Sequence, residues 1–310
     1  IRLPMDPASG YEAKIINAGD IQNEGFELMI TADILRSEAF KWNAQLNLSH
    51  NENRIIKLYQ GNGQDSPVTE YDLGTYDNLQ ILAREGGKYG EIWGTTFKRV
   101  EDPSSPLYGK ILTDADGLPI AGEKKKLGDQ QPDLLAGLTN TFSFAGFDLS
   151  FLVDARIGGK MFSGTNHALQ ANGSSANTAV NGRKKFVVDG DVEKNVGGKK
   201  VYEKNTTEVT PQDYWGAISG RSGNLGINEA NVFDATNVRL RNIALSYTLP
   251  QSLLRKTPIT RAKLGFSCNN VWMIKSYMNG VDPESVFATG SNATGYEFAS
   301  SPTTRSFLFN

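Results

Sequence analysis

The sequence predicts an all-β chain of long antiparallel strands, and three observations carry that expectation. Apolar and polar residues alternate with a period of two over several stretches, which sends successive side chains to opposite faces of a sheet. Glycine is abundant at 32 of 310 residues, and Asn-Gly, Gly-Gly and Asp-Gly pairs punctuate the chain as turn signals. No run of about 18 or more apolar residues occurs, which excludes a transmembrane helix.

Composition narrows the classes further. The chain is 21% charged with a formal net charge of −2, a balance without the basic footprint that nucleic acid needs. Its mean hydropathy of −0.38 resembles that of a water-soluble protein. A transmembrane barrel, alternating lipid-facing and lumen-facing residues, keeps a low average as well. The single cysteine, Cys268, permits no internal disulfide and no thiolate cluster. His50 and His167 stand far apart without the spacing of zinc ligands. No nucleophile elbow, phosphate loop or dinucleotide fingerprint is present. The sequence therefore reads as a non-enzyme, with no catalytic, cofactor or metal residue. Its first residues lack the charged start and apolar core of a secretory signal, so an exported protein of this sequence would be a processed or truncated piece.

Taken in order, the first strand places Phe26, Leu28, Ile30, Ala32 and Ile34 on one face and Glu27, Met29, Thr31 and Asp33 on the other. A hairpin through Arg36–Glu38 leads into the cleanest alternation in the chain. There Phe40, Trp42, Ala44, Leu46 and Leu48 face away from Lys41, Asn43, Gln45, Asn47 and Ser49. From Tyr59 to Gly90 the pattern dissolves into Gly, Asn, Asp and Ser, a length unusual for a connection without function. Within it a hairpin about Gly86–Gly87 and a strand over "EIWGTTFKRV" are expected. Asp114-Ala115-Asp116-Gly117 offers half of a calcium loop or a tight turn. The later ligands are missing, and Lys124 to Lys126 read as a solvated loop.

A second dense block follows. Leu134, Ala136, Leu138, Phe142 and Phe144 share a face, with Asn140 the exception. A short Ala145–Gly146 turn leads to Phe147, Leu149, Phe151, Val153, Ala155 and Ile157, backed by Asp148, Ser150, Asp154 and Arg156. Residues 158–236 form a long polar insertion with a small hairpin expected about Gly197–Gly198. Tyr214 and Trp215 in it are either contact aromatics for a sugar, a peptide or a partner, or the packing of the loop on itself. Last come two strands over Asn237–Trp272. The alternation slips at Arg241–Asn242, where Val238 and Leu240 fall out of phase with Ile243; one extra residue, as in a β-bulge, restores it. Pro250 marks the end of the first of these strands.

Several of these stretches resemble one family. "LRNIALSYTLP" followed by a strand ending "NNVW" looks like the C-terminal region of SusC/RagA-type TonB-dependent outer-membrane transporters. The Gly19–Gly25 strand entry, the "GLTNTFSFAGFDLS" hairpin and Asp282-Pro283-Glu284 resemble the same family, as does the run Pro302 to Phe307. The match runs from Asn17 to the end through four separated blocks in order. It implies an antiparallel transmembrane β-barrel segment, about half of a 22-stranded barrel, with long extracellular loops that include residues 158–236. It further implies a Gram-negative outer-membrane location, and a plug domain and N-terminal strands outside this sequence. Energy would come through TonB, and a SusD-like surface lipoprotein would close over the mouth. Cargo would be an oligosaccharide or a peptide, with Tyr214 and Trp215 as candidates for contact with cargo or lid. The family's last strand runs on beyond the point where this chain stops, so residues past Asn310 are expected.

The alternative is a soluble extracellular glycan-binding β-sandwich, with Trp93, Tyr214 and Trp215 as stacking residues. Strand length separates the two. Bilayer-crossing strands need about 9–11 residues, against about 5–6 in globular sheets. Phe40–His50, Leu134–Phe144, Phe147–Ile157 and Arg239–Leu249 reach the longer figure, which favours the barrel.

Overall fold

The computed structural model describes residues 2–61, 66–220, 225–287 and 290–310. Its largest element is a seven-stranded sheet made of β1 (Asp20–Arg36), β2 (Phe40–Lys57), β3 (Leu134–Phe144), β4 (Phe147–Ile157), β5 (Asn237–Thr248), β6 (Lys263–Ser276) and β7 (Ser306–Phe309). Their order in the sheet is their order in the chain, and every neighbouring pair is antiparallel. The result is an up-and-down meander with β1 and β7 at its edges. The first six strands run from 11 to 18 residues, enough for the ~30 Å hydrocarbon layer at ~3.3 Å per residue. Seven strands are fewer than the half-barrel expected, because the chain between β2 and β3 forms a sheet of its own.

The register explains why these strands associate. Ile30, Leu46, Leu138, Val153, Leu240 and Trp272 lie side by side across the sheet. Two rows along, Leu35, Trp42, Phe142, Leu149, Leu245, Phe266 and Phe309 do the same. Cross-strand apolar pairs of this kind are the unit of sheet stabilisation. The opposite face carries rows such as Asp33, Asn43, Thr141 and Ser150. The expected bulge is present. Leu152 pairs with Asn242 and Val153 with Leu240, so Arg241 has no opposite residue. Val238 and Leu240 thereby return to the face of Ile243.

All three short connections lie at one end of the sheet. Between β1 and β2, the Ser37 N–H and hydroxyl both donate to the Phe40 carbonyl at 2.9 Å. Between β3 and β4, Ala145 and Gly146 have φ of 49° and 86°, the paired left-handed conformation that suits the twist of a two-residue hairpin. A single helical turn, Gln251–Leu254, fills the link from β5 to β6.

The long connections all lie at the other end. The first holds a four-stranded sheet of Glu70–Tyr76, Leu79–Arg84, Tyr89–Phe97 and Ala121–Asp129. Its hairpin about Gly86–Gly87 is as expected, whereas the strand Glu70–Tyr76 has no clear sequence signal. Part of the glycine-rich head of this connection, residues 62–65, lies outside the described residues. Lys124 to Lys126 are not in a solvated loop; they sit on the edge strand, where Lys126 Nζ reaches Glu91 at 2.7 Å. The second connection contains α1 (Gly164–Ala171), the hairpin Asp191–Val196/Lys199–Lys204 expected about Gly197–Gly198, and α2 (Pro211–Ser219).

The well-buried core is out among these connections. Leu79, Ile81, Ile92, Phe162 and Tyr296 form its largest cluster. Among the described residues, the seven-stranded sheet adds only Ile55 and Cys268 to the buried apolar set. Phe26, Phe144, Trp272 and Phe307 remain more than half exposed, at 53%, 58%, 61% and 60%. A sheet in a sandwich buries one face against a second layer, and no second sheet covers these rows among the described residues. Among the described residues, no helix is long and apolar enough to cross a membrane.

Candidate functional site at the long-connection end

Two regions at this end present functional chemistry. The first is α2. Its N-cap Thr210 accepts a hydrogen bond from the Asp213 N–H, and Pro211 occupies the first turn, where a missing N–H costs nothing. Tyr214 and Trp215 therefore sit on a helix and not on an open loop, and both are half-buried. Their rings meet edge to face at 5.1 Å, and Tyr214 meets Phe186 in the same way at 5.2 Å. Burial pushes the Tyr214 phenol up. The helix is tied to α1 by His167, whose Nε2–H donates to the Ser219 carbonyl at 2.7 Å. Burial pulls the His167 imidazole below its usual value, the carbonyl partly opposing it.

Trp215 forms a wall shared by two cavities. One, of about 430 Å³, carries the polar side chains of Gln170, Asn172, Arg183 and Gln212 among its lining. The other, of about 270 Å³, is lined by Val180, Phe186 and Tyr214. An aromatic wall beside amide and guanidinium groups can hold a sugar ring or a peptide unit. Trp93 is not brought to this place. Its ring is covered by the Arg84 guanidinium at 4.2 Å, and its Nε1–H donates to Glu91 at 2.9 Å. The Asp114 carboxylate accepts from the N–H groups of Asp116 and Leu118, which makes Asp114–Gly117 a turn. No cluster of three metal-ligating side chains exists among the described residues.

The second region is the end of the polar sheet face. Arg239 lies opposite Asp154, and its side chain, only 6% exposed, pairs with Asp282. Asp282 also accepts from the Thr303 N–H at 3.2 Å and hydroxyl at 2.7 Å. The bulge residue Arg241 bridges Asp154 at 2.5 Å and Glu284 at 2.6 Å. Asp282-Pro283-Glu284 thus clips the last connection to the sheet. Burial would raise the Asp282 carboxyl, but the hydrogen bonds from Arg239, Thr303 and the Glu284 N–H outweigh it and hold it well below the carboxylate range. The Arg241 hydrogen bond lowers Glu284 in the same direction. Beside this clasp a concavity of about 740 Å³ opens on the polar face, lined in part by Asn47, Gly137, Asp154, Arg156, Asn237 and Glu284. The sequence shows these residue types but not their meeting, since it does not say which arginine answers which carboxylate.

No family model matches the chain. It is 26% identical to TonB-dependent receptor P3 of Formosa agariphila over 98% of its own length and 30% of that protein's. To TonB-dependent receptor SusC of Bacteroides thetaiotaomicron it is 26% identical over 51% of this chain and 16% of SusC. Among solved structures, that of the RagAB peptide transporter superposes with a TM-score of 0.64 at 17% identity, over 99% of this chain and 31% of that one. The RagAB peptide importer in its 'open-open' state gives 0.61 at 18% identity. The chain thus spans about 30% of the length of the TonB-dependent receptor it matches over nearly its whole sequence.

Proposed function

We propose that this chain, similar nearly throughout to TonB-dependent receptors of the SusC kind, is the C-terminal barrel portion of an outer-membrane receptor for a bulky nutrient. One observation carries the reading. A single-layer meander of strands long enough to cross a bilayer gathers its apolar rows on one exposed face and its long connections at one end. A transmembrane barrel has this build, with lipid on its outer face, short periplasmic turns and long outer loops. In this reading the plug and the remaining strands of a 22-stranded barrel belong to other parts of the receptor. Residues 158–236, of which 221–224 lie outside the described residues, form an extracellular loop at the mouth. TonB supplies the energy and a SusD-like surface lipoprotein closes over the loop. The cargo is an oligosaccharide or a peptide, met or covered at Tyr214 and Trp215. The similarity to SusC and to the RagAB fold supports both the location and the partner class.

The test uses the full-length receptor in its outer membrane. Removing Lys194–Glu203 shortens an exposed hairpin while keeping the Asp191–Leu112 and Val192–Thr113 pairing that ties its base to the first connection. Receptor levels should hold, while lipoprotein co-purification and uptake of the cognate nutrient should fall. Contacts made by polar loops that order on docking yield less than their area suggests, so a partial loss is expected. Uptake that continues unchanged without TonB would overturn the transport reading.

A further inference from the structure

Three arginines converge on the polar face at the long-connection end, and they differ in one respect. Arg239 has Asp282, and Arg241 has Asp154 and Glu284. Arg156 has no carboxylate within ion-pair distance among the described residues, although Glu284 is near enough to act on it electrostatically. Its Nη2 donates to the Gln130 carbonyl at 2.6 Å, and its Nε–H is buried with no hydrogen-bond partner. Two positions back on the same face, the buried Oδ1 of Asp154 also lacks one. Both residues line the concavity of about 740 Å³.

The strand beside them leaves the space open. Gly137 lies directly opposite Asp154, between it and Asn47. A Cβ placed at Gly137 would meet only Leu152 Cδ1, at 3.8 Å. Glycine within a strand gives up packing and backbone entropy, and commonly marks a site where a ligand or another backbone approaches closely. Here it is flanked by an amide, a carboxylate oxygen in need of a donor and a guanidinium in need of an acceptor. Arginine presents its donors in a planar fork matched to a carboxylate.

We propose that Arg156 is the anion-binding residue of a carboxylate subsite at the outer mouth, built over Gly137, with Asp154 Oδ1 accepting from a neighbouring N–H or O–H of the same ligand. This rests on the transport reading for its biological meaning, since it makes the cargo acidic: a C-terminal peptide carboxylate or a uronate. Arg156 stands in the last polar row before the long connections, flanked by Leu135 and Asn237. In the barrel reading, cargo entering from outside meets this row before the deeper ones.

The test measures binding to the full-length receptor in detergent with two matched pairs of probes. One pair is a tetrapeptide with a free C-terminal carboxylate and its amide; the other is a trisaccharide ending in glucuronate and its glucose counterpart. One acidic probe should bind about tenfold or more tighter than its neutral twin, as a charge-assisted bond predicts, and which one does so identifies the source of the carboxylate. Arg156→Gln should abolish the difference, while Arg156→Lys should keep part of it. Gly137→Val should weaken acidic and neutral probes together by filling the dent. Equal binding of acid and neutral twins by the wild type, or a preference that survives in Arg156→Gln, would overturn the subsite. TonB-dependent uptake is measured separately. An acid preference without energised uptake would defeat the transport reading and leave the subsite standing.

Discussion

The indole N–H of Trp42 donates to Oδ1 of Asn140, 98 residues further along the chain, at 2.9 Å. Asn140 lies in a row of Ala32, Ala44, Phe151, Ile243, Cys268 and Phe307, and is 7% exposed. It is the one break in the apolar alternation of β3. The two polar groups answer each other, the amide buried and the indole half-buried, while Phe142 stacks on the Trp42 ring at 5.6 Å. A polar residue on the apolar face is therefore half of a pair and not an error in the pattern.

Removing one member should cost more than removing both. Asn140→Leu strands the indole N–H and Trp42→Phe strands the amide, each at about 1–3 kcal/mol for an unsatisfied buried group. The double variant should recover part of the summed loss. A double-mutant cycle on the denaturation of the full-length receptor checks this, and simple additivity would mean that the bond contributes nothing.

Residues one apart on β2 should report opposite surroundings. Leu46 belongs to the apolar row and Gln45 to the polar one, and shifting a strand by one residue exchanges its faces. In the barrel reading, a spin label at Leu46 meets hydrocarbon and one at Gln45 meets water. Oxygen and nickel-chelate accessibilities measured at both positions would refute this if they came out reversed or equally dry.

The Asp282 clasp should open in acid. Its carboxyl titrates below the ordinary value in the folded protein, so the opened form binds protons first as pH falls. Its contribution is complete above the unfolded value of about 3.9 and is lost as pH drops through the lower folded one. Hydrogen-exchange protection over residues 281–285, corrected for the intrinsic pH dependence of exchange, should be flat from neutral pH to about 4 and should fall below that. Asp282→Asn, which leaves Arg239 buried without its counter-charge, should raise exchange already at neutral pH, by about 3 kcal/mol in opening free energy.

The α1–α2 contact should loosen at a milder pH. Burial depresses the His167 value, so the opened form gains its proton first. The stabilisation is complete above about 6.5 and declines below it until the folded histidine also protonates. Limited proteolysis of residues 164–219 between pH 7.5 and 5 should show the decline. His167→Gln, which can still donate to Ser219, should flatten it. A wild-type profile without pH dependence would rule the mechanism out.

What the sequence determined by itself was everything set by local repetition. Period-two alternation states which residues share a face, and turn pairs such as Ala145–Gly146 state where a strand reverses. The phase slip at Arg241 states that one residue must be left over. None of these needs knowledge of what lies across the molecule. Capping signals at Thr210-Pro211 and Asp213 could also have marked α2, but they sit in a polar stretch whose periodicity is weak.

Only the tertiary structure decided the rest. Arg239 meets a carboxylate 43 residues away, and nothing local distinguishes Asp282 from the other acids of the chain. Tyr214 turns into the loop because Phe186 happens to lie against it. Arg156 is left without a directly paired carboxylate because the bulge gives Asp154 and Glu284 to Arg241, and Gly137 becomes the floor of a cavity because its neighbours across the sheet carry side chains. Alternation is a property of one strand's backbone geometry. Pairing and cavities are properties of which distant segments the closed connections bring together, and one strand's sequence does not contain them.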